Sequence, residues 1–262
     1  MEHVKDQRIV TINFDQSIAC LDVSIFQIET QTTVEDRRSF LAIQDAVRRW
    51  KKEYVYLECG SHLGGSLLPH ILDPRCRLLY SVDRRPPVQP DERGINYEYP
   101  DNSSQRMIAL LSQYATSTSL AKLQTFDMDA STLTASQIQE IPDLVLIDAE
   151  HTNTAVFRDL LNLYRYCGPS TVFAFHDANL IMSGLQNIEA LLHYNSVAFD
   201  SYVLPNIVYV LATNDAREVL RPVGEKFGLN KENFSAWARE YLLKMHYEAV
   251  RQSLAQQQMP IA

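Results

Sequence analysis

The chain has 262 residues, of which 46% are hydrophobic and 21% are charged. These values are typical of a soluble globular protein with one large or two small domains, and they exclude collagen-like, disordered and disulfide-scaffold proteins. The 32 acidic residues outnumber the 24 basic ones, whereas nucleic acids and anionic membranes attract basic surfaces. We therefore expect neither a nucleic acid nor a membrane as a partner.

The cysteines indicate a reducing compartment. Cys20, Cys59, Cys76 and Cys167 are widely spaced and form no CxxC pair, which favours free thiols over disulfides or zinc ligands. The first residues lack the apolar core of a signal peptide, and no apolar run approaches the roughly 20 residues of a membrane span. These features predict a cytoplasmic protein.

In chain order, residues 1–33 contain short apolar clusters, at 9–12 and 18–28, without a clear period. Apolar residues then recur at helical spacing over residues 34–52, which predicts an amphipathic helix. Apolar runs predict strands at residues 54–58, 77–83, 122–126, 144–148 and 171–175. Helices are predicted between and after them, at residues 66–72, 103–115, 154–166 (closed by Cys-Gly-Pro) and around 185–193. Residues 202–204 and 207–212 are expected to form an antiparallel pair, and residues 231–257 a long polar helix.

The alternation of strands and helices predicts a single α/β domain. Such βαβ units form a doubly wound, Rossmann-like parallel sheet with helices on both faces. No change in composition marks a second domain. The predicted organisation is an N-terminal extension (1–33), a core domain (34–215) and a C-terminal helical extension of the same domain (216–262).

Acidic or histidine side chains recur where the predicted strands end. They are Glu58, Asp83, Asp127, Asp129, Asp148 and the pair His176-Asp177. The carboxyl ends of the strands form the ligand-binding crevice of an open α/β sheet. One aspartate after a strand is an ordinary turn residue, but the recurrence after five strands predicts a binding site at this edge.

The turn after the first strand contains glycines at 60, 64 and 65. Glycine lets the backbone approach a ligand closely, and the following helix offers free N–H groups. Glu58 places a negative charge where the diphosphate of a dinucleotide would lie, and therefore favours a ligand with a positive centre, such as S-adenosylmethionine. Asp83 is suited to accept hydrogen bonds from ribose hydroxyls. Two alternatives remain open: NAD binding, and glycines that only permit a tight turn.

With these motifs the sequence resembles the class I S-adenosylmethionine-dependent methyltransferases. The matching segments are YLECGSHLGG, LLYSVD, FDMD and LVLID. The combination IDAEHTNTAVFRDL with CGPSTVFAFHD is similar to a narrower group, the macrolide-sugar O-methyltransferases and the cephalosporin hydroxylase-like proteins. The resemblance covers about residues 50–180. It implies a seven-stranded sheet in the order 3-2-1-4-5-7-6 with the last strand reversed.

The resemblance also implies roles for individual residues. The cofactor-binding set that it implies is Glu58, Gly60, Gly64, Asp83, Asp127, Met128 and Asp148. The implied divalent-metal ligands are Asp148, His176 and Asp177. His176 stands where the best-known metal-binding members have a carboxylate, so the metal can be Mg²⁺, but an imidazole ligand favours Mn²⁺ or Fe²⁺.

The expected reaction is O-methylation of a hydroxyl on a small molecule or sugar, in natural-product or polysaccharide biosynthesis. His151 lies three residues past Asp148 and is the expected general base, because imidazole titrates near neutral pH. The alternative makes His151 a helix-start residue and His176-Asp177 a turn. Other functions left open are a non-catalytic cofactor-binding subunit and another biosynthetic step such as hydroxylation.

Two further segments have simpler expectations. Arg84 and Arg85 follow the predicted ribose-binding acid, and a solvated loop is the favoured interpretation. The helix at 231–257 carries apolar residues at mixed helical spacing. It is compatible with covering the sheet or with forming a homo-oligomer.

Overall fold

The computed structural model describes residues 13–167 and 170–257. The predicted apolar cluster at 9–12 and the Gly-Pro pair that closes the helix at 154–166 lie outside the described residues. Within them, no helix combines the length and hydropathy needed to cross a membrane.

The described residues form nine strands. In chain order these are β1 (Tyr54–Cys59), β2 (Cys76–Val82), β3 (Val88–Pro90), β4 (Asn96–Glu98), β5 (Leu123–Phe126), β6 (Leu144–Ile147), β7 (Val172–Phe175), β8 (Phe199–Leu204) and β9 (Val208–Thr213). Seven of them form one sheet in the order β5-β2-β1-β6-β7-β9-β8, and β3 pairs with β4 in a separate hairpin. Only β9 runs antiparallel to its neighbours in the sheet, β7 and β8. The predicted strand order and reversed last strand are therefore confirmed.

The helices fill the intervals between the strands. They are α1 (Phe14–Ala19), α2 (Val34–Trp50), α3 (Leu68–Leu72), α4 (Ser104–Leu111), α5 (Ser117–Leu120), α6 (Asn153–Tyr164), α7 (Ala178–Tyr194), α8 (Ala216–Phe227) and α9 (Lys231–Gln257). Helix α2 begins with a capping box, in which Thr33 and Asp36 each bond the other's backbone N–H. Helix α3 ends before Asp73-Pro74, as predicted.

The sheet is covered on both faces, as β1 illustrates. Tyr54 and Tyr56 belong to one buried cluster, to which α2 and α8 contribute. The alternate residues Val55 and Leu57 belong to a second cluster, formed with α6, α7 and α9. Because successive strand residues point to opposite faces, a strand buried on both sides has a continuous apolar sequence. This explains why the apolar runs predicted the strands.

The structure adds a hairpin that the sequence pattern does not predict. Strands β3 and β4 are short and largely exposed, so no alternating apolar pattern marks them. The chain turns between them at residues 91–94, where Gly94 has a φ of +75°, a conformation that glycine adopts at little cost. Pro86 and Pro87 precede β3, and Pro90 ends it.

Candidate active site

A cleft of about 670 Å³, open mouth included, lies at the carboxyl ends of β1, β2, β6 and β7. The turn after β1 supplies Gly60, Ser61, His62, Leu63, Gly65 and Ser66. The ends of the other three strands supply Asp83, Asp148, Ala149, His151, His176 and Asp177. The predicted strand-end site thus coincides with a real concavity.

Gly60 lets two strand ends approach each other at the floor of the cleft. Its φ is +87°, and a Cβ atom built on it would lie 2.0 Å from the carbonyl oxygen of Asp148. The backbone N–H of Asp148 in turn donates to Cys59 O at 2.9 Å. Only glycine fits here, because any side chain would push the end of β6 away from β1.

Glu58 lies behind the wall of the cleft. The side chain is fully buried, and it accepts hydrogen bonds from Tyr56 Oη at 2.6 Å and Ser66 Oγ at 2.8 Å. Burial raises the pKa of Glu58 to about 7, although both hydrogen bonds act in the opposite direction. Ser66 lines the cleft, whereas Glu58 itself does not.

Asp83 is held in place by backbone donors. Its carboxylate accepts the N–H of His62 at 2.9 Å and the N–H of Arg85 at 2.7 Å. It lines both the main cleft and a smaller adjoining compartment. A carboxylate fixed in this way can still accept from a ligand hydroxyl, because each oxygen has two lone pairs.

The expectation of a solvated loop is wrong for Arg85. Its side chain is only 5% exposed and donates to His62 O at 2.7 Å and Asp127 Oδ1 at 3.0 Å. The arginine therefore ties the end of β2 to the end of β5. Arg84 has a half-exposed side chain, in agreement with the expectation.

Asp127 and Met128, two neighbouring members of the implied cofactor-binding set, lie in different surroundings. Met128 lines the compartment that adjoins the cleft at Asp83. Asp127 lines neither cavity, because its carboxylate bonds Arg85 and also accepts from Ser104 Oγ at 2.8 Å. Gly64 is likewise outside the lining of the cleft.

Two carboxylates and two imidazoles meet at one end of the cleft. His151 Nε2 lies 3.1 Å from Asp148 Oδ1 and 3.3 Å from Asp177 Oδ2. His176 Nδ1 lies 3.2 Å and 3.5 Å from the same two oxygens. One ligand atom from each of Asp148, His151 and Asp177 lies within 4.8 Å of the others. The structure thus brings together all four residues singled out at these strand ends.

The charges in this cluster reinforce each other. Burial disfavours the charged form of all four groups, but the opposite charges outweigh it. The pKa values of Asp148 and Asp177 are lowered by the neighbouring histidines. The pKa values of His151 and His176 are raised by the two carboxylates, that of His176 strongly.

Asp36 supports the cluster from the side opposite the cleft. Its Oδ2 lies 3.4 Å from His176 Nε2, a buried atom without a hydrogen bond among the described residues. Asn206 Nδ2 donates to both carboxylate oxygens of Asp36, at 3.0 and 2.9 Å. The sequence shows Asp36 only as a helix-capping residue, because its contact with His176 spans 140 positions.

The β3–β4 hairpin holds the loop that carries His151. The N–H of Glu92 donates to His151 O at 2.9 Å, and Glu92 Oε2 accepts the N–H of Asn153 at 2.9 Å. That N–H opens helix α6, where a negative charge is favoured by the helix dipole. Helix α9 contacts the turn of this hairpin, because His246 Nε2 lies 2.7 Å from Glu92 O.

We expect Glu92→Ala to lower turnover more than cofactor affinity. The variant loses a charge-assisted hydrogen bond to the start of α6, which contributes roughly 1.5–3 kcal/mol, and leaves the His151 loop less constrained. Glu92→Gln keeps an acceptor oxygen and should recover most of the loss. Steady-state kcat and calorimetric S-adenosylmethionine affinity, measured for both variants, check this. Equal losses in the two variants would contradict it.

Residues 29–32 form a further wall of the cleft. Glu29, Thr30, Gln31 and Thr32 all line it. The contact with the glycine turn is close, because a Cβ atom on Gly65 would lie 2.1 Å from Thr30 Cγ2. No sequence signal marked this segment. It reaches the site by packing of the preceding residues, of which Ile25 is fully buried in the core.

The fold and the site define a class of protein. A seven-stranded sheet of this order, with a glycine turn after its first strand and an acid after its second, is the arrangement expected of a class I methyltransferase. Residues 57–178 match a family model described as a methyltransferase domain. The chain therefore contains an S-adenosylmethionine-dependent methyltransferase domain. No curated protein sequence matches it.

Solved structures with similar folds include several methyltransferases. Cofactor-bound Rv0187 from MTB is 10% identical, with 79% of this chain and 93% of that chain covered and a TM-score of 0.49. The O-methyltransferase TomG from Streptomyces achromogenes, in complex with SAM, is 11% identical, with 77% and 90% covered and a TM-score of 0.47. A ribosomal protein L11 methylase from Lactobacillus delbrueckii subsp. bulgaricus is 14% identical, with 68% and 78% covered and a TM-score of 0.43. These low similarities carry no information on the acceptor of this chain.

Proposed function

We propose that this enzyme methylates a hydroxyl group of a small molecule or sugar, with metal assistance and a histidine base. Asp148, His176 and Asp177 hold a divalent cation, and His151 takes the hydroxyl proton. The observation that carries the proposal is the convergence of two carboxylates and two imidazoles at one end of the cleft. A hydroxyl is a poor nucleophile at neutral pH, so a base and a charged site both favour its reaction.

The glycine turn and Asp83 fit S-adenosylmethionine. Gly60 lines the cleft, and most of the other residues that line it are polar. Asp83 faces both compartments and is placed to accept from ribose hydroxyls. When bound, S-adenosylmethionine supplies an electrophilic methyl group. The walls of the cleft orient the acceptor oxygen in line with it and exclude water.

The donor set fits a divalent cation. Histidine ligands commonly give their second ring N–H to a carboxylate, which fixes the ring and its tautomer. Asp36 Oδ2 lies 3.4 Å from His176 Nε2 and is the nearby carboxylate for this role. That arrangement leaves Nδ1 of His176 toward Asp148 and Asp177. When bound, such a cation offsets the two carboxylate charges and lowers the pKa of an adjacent hydroxyl. The mixed nitrogen and oxygen set favours Mn²⁺ or Fe²⁺ over Mg²⁺.

His151 is the more accessible of the two imidazoles. Its side chain is 17% exposed and that of His176 only 4%. Nε2 of His151 faces the same carboxylate oxygens and borders the cleft. A residue that accepts a proton from a substrate needs an accessible side chain, whereas a ring as buried as that of His176 is suited to a fixed ligand.

Metal affinity separates the two histidine roles. We expect His176→Ala to weaken Mn²⁺ binding at least tenfold in calorimetric titrations, because it removes a ligand. His151→Ala should bind Mn²⁺ nearly as well as the unmodified enzyme. The reverse result would make His151 the ligand, in agreement with its ligating distance to both carboxylates, and would exclude it as the free base.

Chelation tests the metal half of the proposal. With labelled S-adenosylmethionine and a panel of glycosides and small alcohols, EDTA should abolish methyl transfer. Added Mn²⁺ or Fe²⁺ should restore it better than Mg²⁺, for the reason given by the donor set. Full activity in EDTA would contradict metal assistance. Cofactor binding without transfer to any acceptor would instead support a non-catalytic subunit or a different reaction.

A further inference from the structure

Helix α9 carries apolar residues on two opposite sides. On its inner side, Phe234 and Ala238 are buried in the core, and Tyr241 and Leu242 pack against the same cluster. A helix that covers a sheet needs only this one apolar face and is normally polar on the other. Helix α9 departs from that pattern.

The outer side of α9 presents three large apolar side chains to solvent. Leu243, Tyr247 and Val250 are 64%, 66% and 59% exposed. Their spacing of four and then three residues places them in one row along the helix, and we call this row the outer stripe. Single exposed apolar residues are ordinary, but an aligned row marks an interaction surface.

We propose that the outer stripe pairs with the outer stripe of a second copy of this chain, in an antiparallel arrangement about a two-fold axis. Closed two-fold pairs are the commonest assemblies of identical subunits. The spacing of the stripe is that of the seam between two packed helices, in which apolar residues alternate at three and four positions. The three apolar side chains of each copy are then buried in the interface.

The charges beside the stripe fit this arrangement. From Glu240 onward they alternate in sign, with Glu240, Lys244, Glu248 and Arg251. Glu248 and Arg251 also pair within the helix at 3.1 Å, and Arg239 adds a positive charge before Glu240. An antiparallel pair with its axis near residue 246 brings Glu240 toward Arg251 of the partner subunit and Lys244 toward Glu248 of the partner subunit. Symmetry doubles each contact. In a parallel pair the flank that carries these charges would face the opposite flank of the partner, so neither contact would form.

The same charges argue against a membrane as the occupant of the stripe. Two acids and three bases (Arg239, Lys244 and Arg251) flank it, so the surface has an excess of only one positive charge. Helices that bind anionic membranes combine an apolar face with many lysines and arginines. A second copy would both bury the apolar side chains and pair with the charges beside them.

The outer stripe is separate from the catalytic cleft. None of its three residues lines the cleft, so changes there leave the cofactor site intact. Tyr194 on α7 is a matched control, because it is 86% exposed and lies on a different helix. The proposal is therefore independent of the acceptor and of the proposed reaction.

Sedimentation velocity of the full chain, from about 1 to 100 µM, tests the pairing. We expect a concentration-dependent dimer whose dissociation constant rises at least tenfold in the double variant Leu243→Lys/Val250→Lys. Tyr194→Lys should leave it unchanged. Circular dichroism and S-adenosylmethionine binding verify that each variant is folded. A monomer at every concentration, or a dimer unaffected by the stripe variant, would overturn the proposal.

Charge reversal tests the antiparallel register. Glu240→Lys alone and Arg251→Glu alone should each weaken the dimer, and the two changes combined in one chain should restore it. A combined variant as weak as either single one would refute this register. Flotation of a monomeric chain with vesicles of anionic phospholipid, lost in the stripe variant, would overturn pairing in favour of a membrane surface.

Discussion

Replacing His151 by alanine is expected to slow methyl transfer by about 10²–10⁴-fold, the usual contribution of a general base. Nε2 of His151 lies at 3.1 and 3.3 Å from the carboxylates that would share its charge after it takes a proton. The affinity for S-adenosylmethionine should stay nearly constant, because the glycine turn and Asp83 are unchanged. Single-turnover rates and calorimetry with the same protein measure the two effects.

His193→Ala is the matched control for this variant. His193 is an exposed histidine in the last turn of α7, away from the residues that line the cleft. It should turn over at the normal rate. Normal turnover by His151→Ala would eliminate the base, and a parallel loss of cofactor affinity would indicate a structural role for the ring.

The sheet was predictable because its physical signal is local. Strands buried on both faces have continuous apolar sequences, and the first five predicted strands agree with β1, β2, β5, β6 and β7 to within one residue at each end. Hairpin β3–β4 has no such signal. It is held by long-range bonds to the His151 loop and to α9, which no local pattern contains.

The site residues that follow directly after strands were predictable from the sequence. Those that reach the site through tertiary packing were not. Asp148 and His176-Asp177 follow neighbouring strands, so their proximity follows from the sheet order. Glu58, also predicted from a strand end, does not itself line the cleft but accepts a hydrogen bond from Ser66, which does. Asp36 and residues 29–32 reach the site through the packing of α2 and of the segment before it, which is tertiary information.

The largest structural effect is expected for Gly60→Ala. An alanine at a φ of +87° costs about 1–2 kcal/mol for the left-handed backbone alone. Its Cβ atom would also lie 2.0 Å from Asp148 O, and relieving such an overlap typically costs a further 1–3 kcal/mol or so. Because Asp148 also belongs to the charged cluster, the shift should reduce both S-adenosylmethionine binding and turnover at least tenfold.

Two other glycines separate the steric effect from the backbone effect. Gly94 has a similar φ of +75°, but a Cβ atom there would meet nothing within 4 Å, so Gly94→Ala should cost only the backbone penalty. Gly64, with a φ of +83°, is intermediate, since its Cβ atom would lie 3.0 Å from the flexible Met107 side chain. In urea unfolding, the loss of unfolding free energy should therefore be smallest for Gly94→Ala, larger for Gly64→Ala and largest for Gly60→Ala. Cofactor affinity should fall most in Gly60→Ala. Equal losses of stability in Gly94→Ala and Gly60→Ala would show that the close approach of Gly60 to Asp148 has no effect of its own, because the two positions share only the backbone conformation.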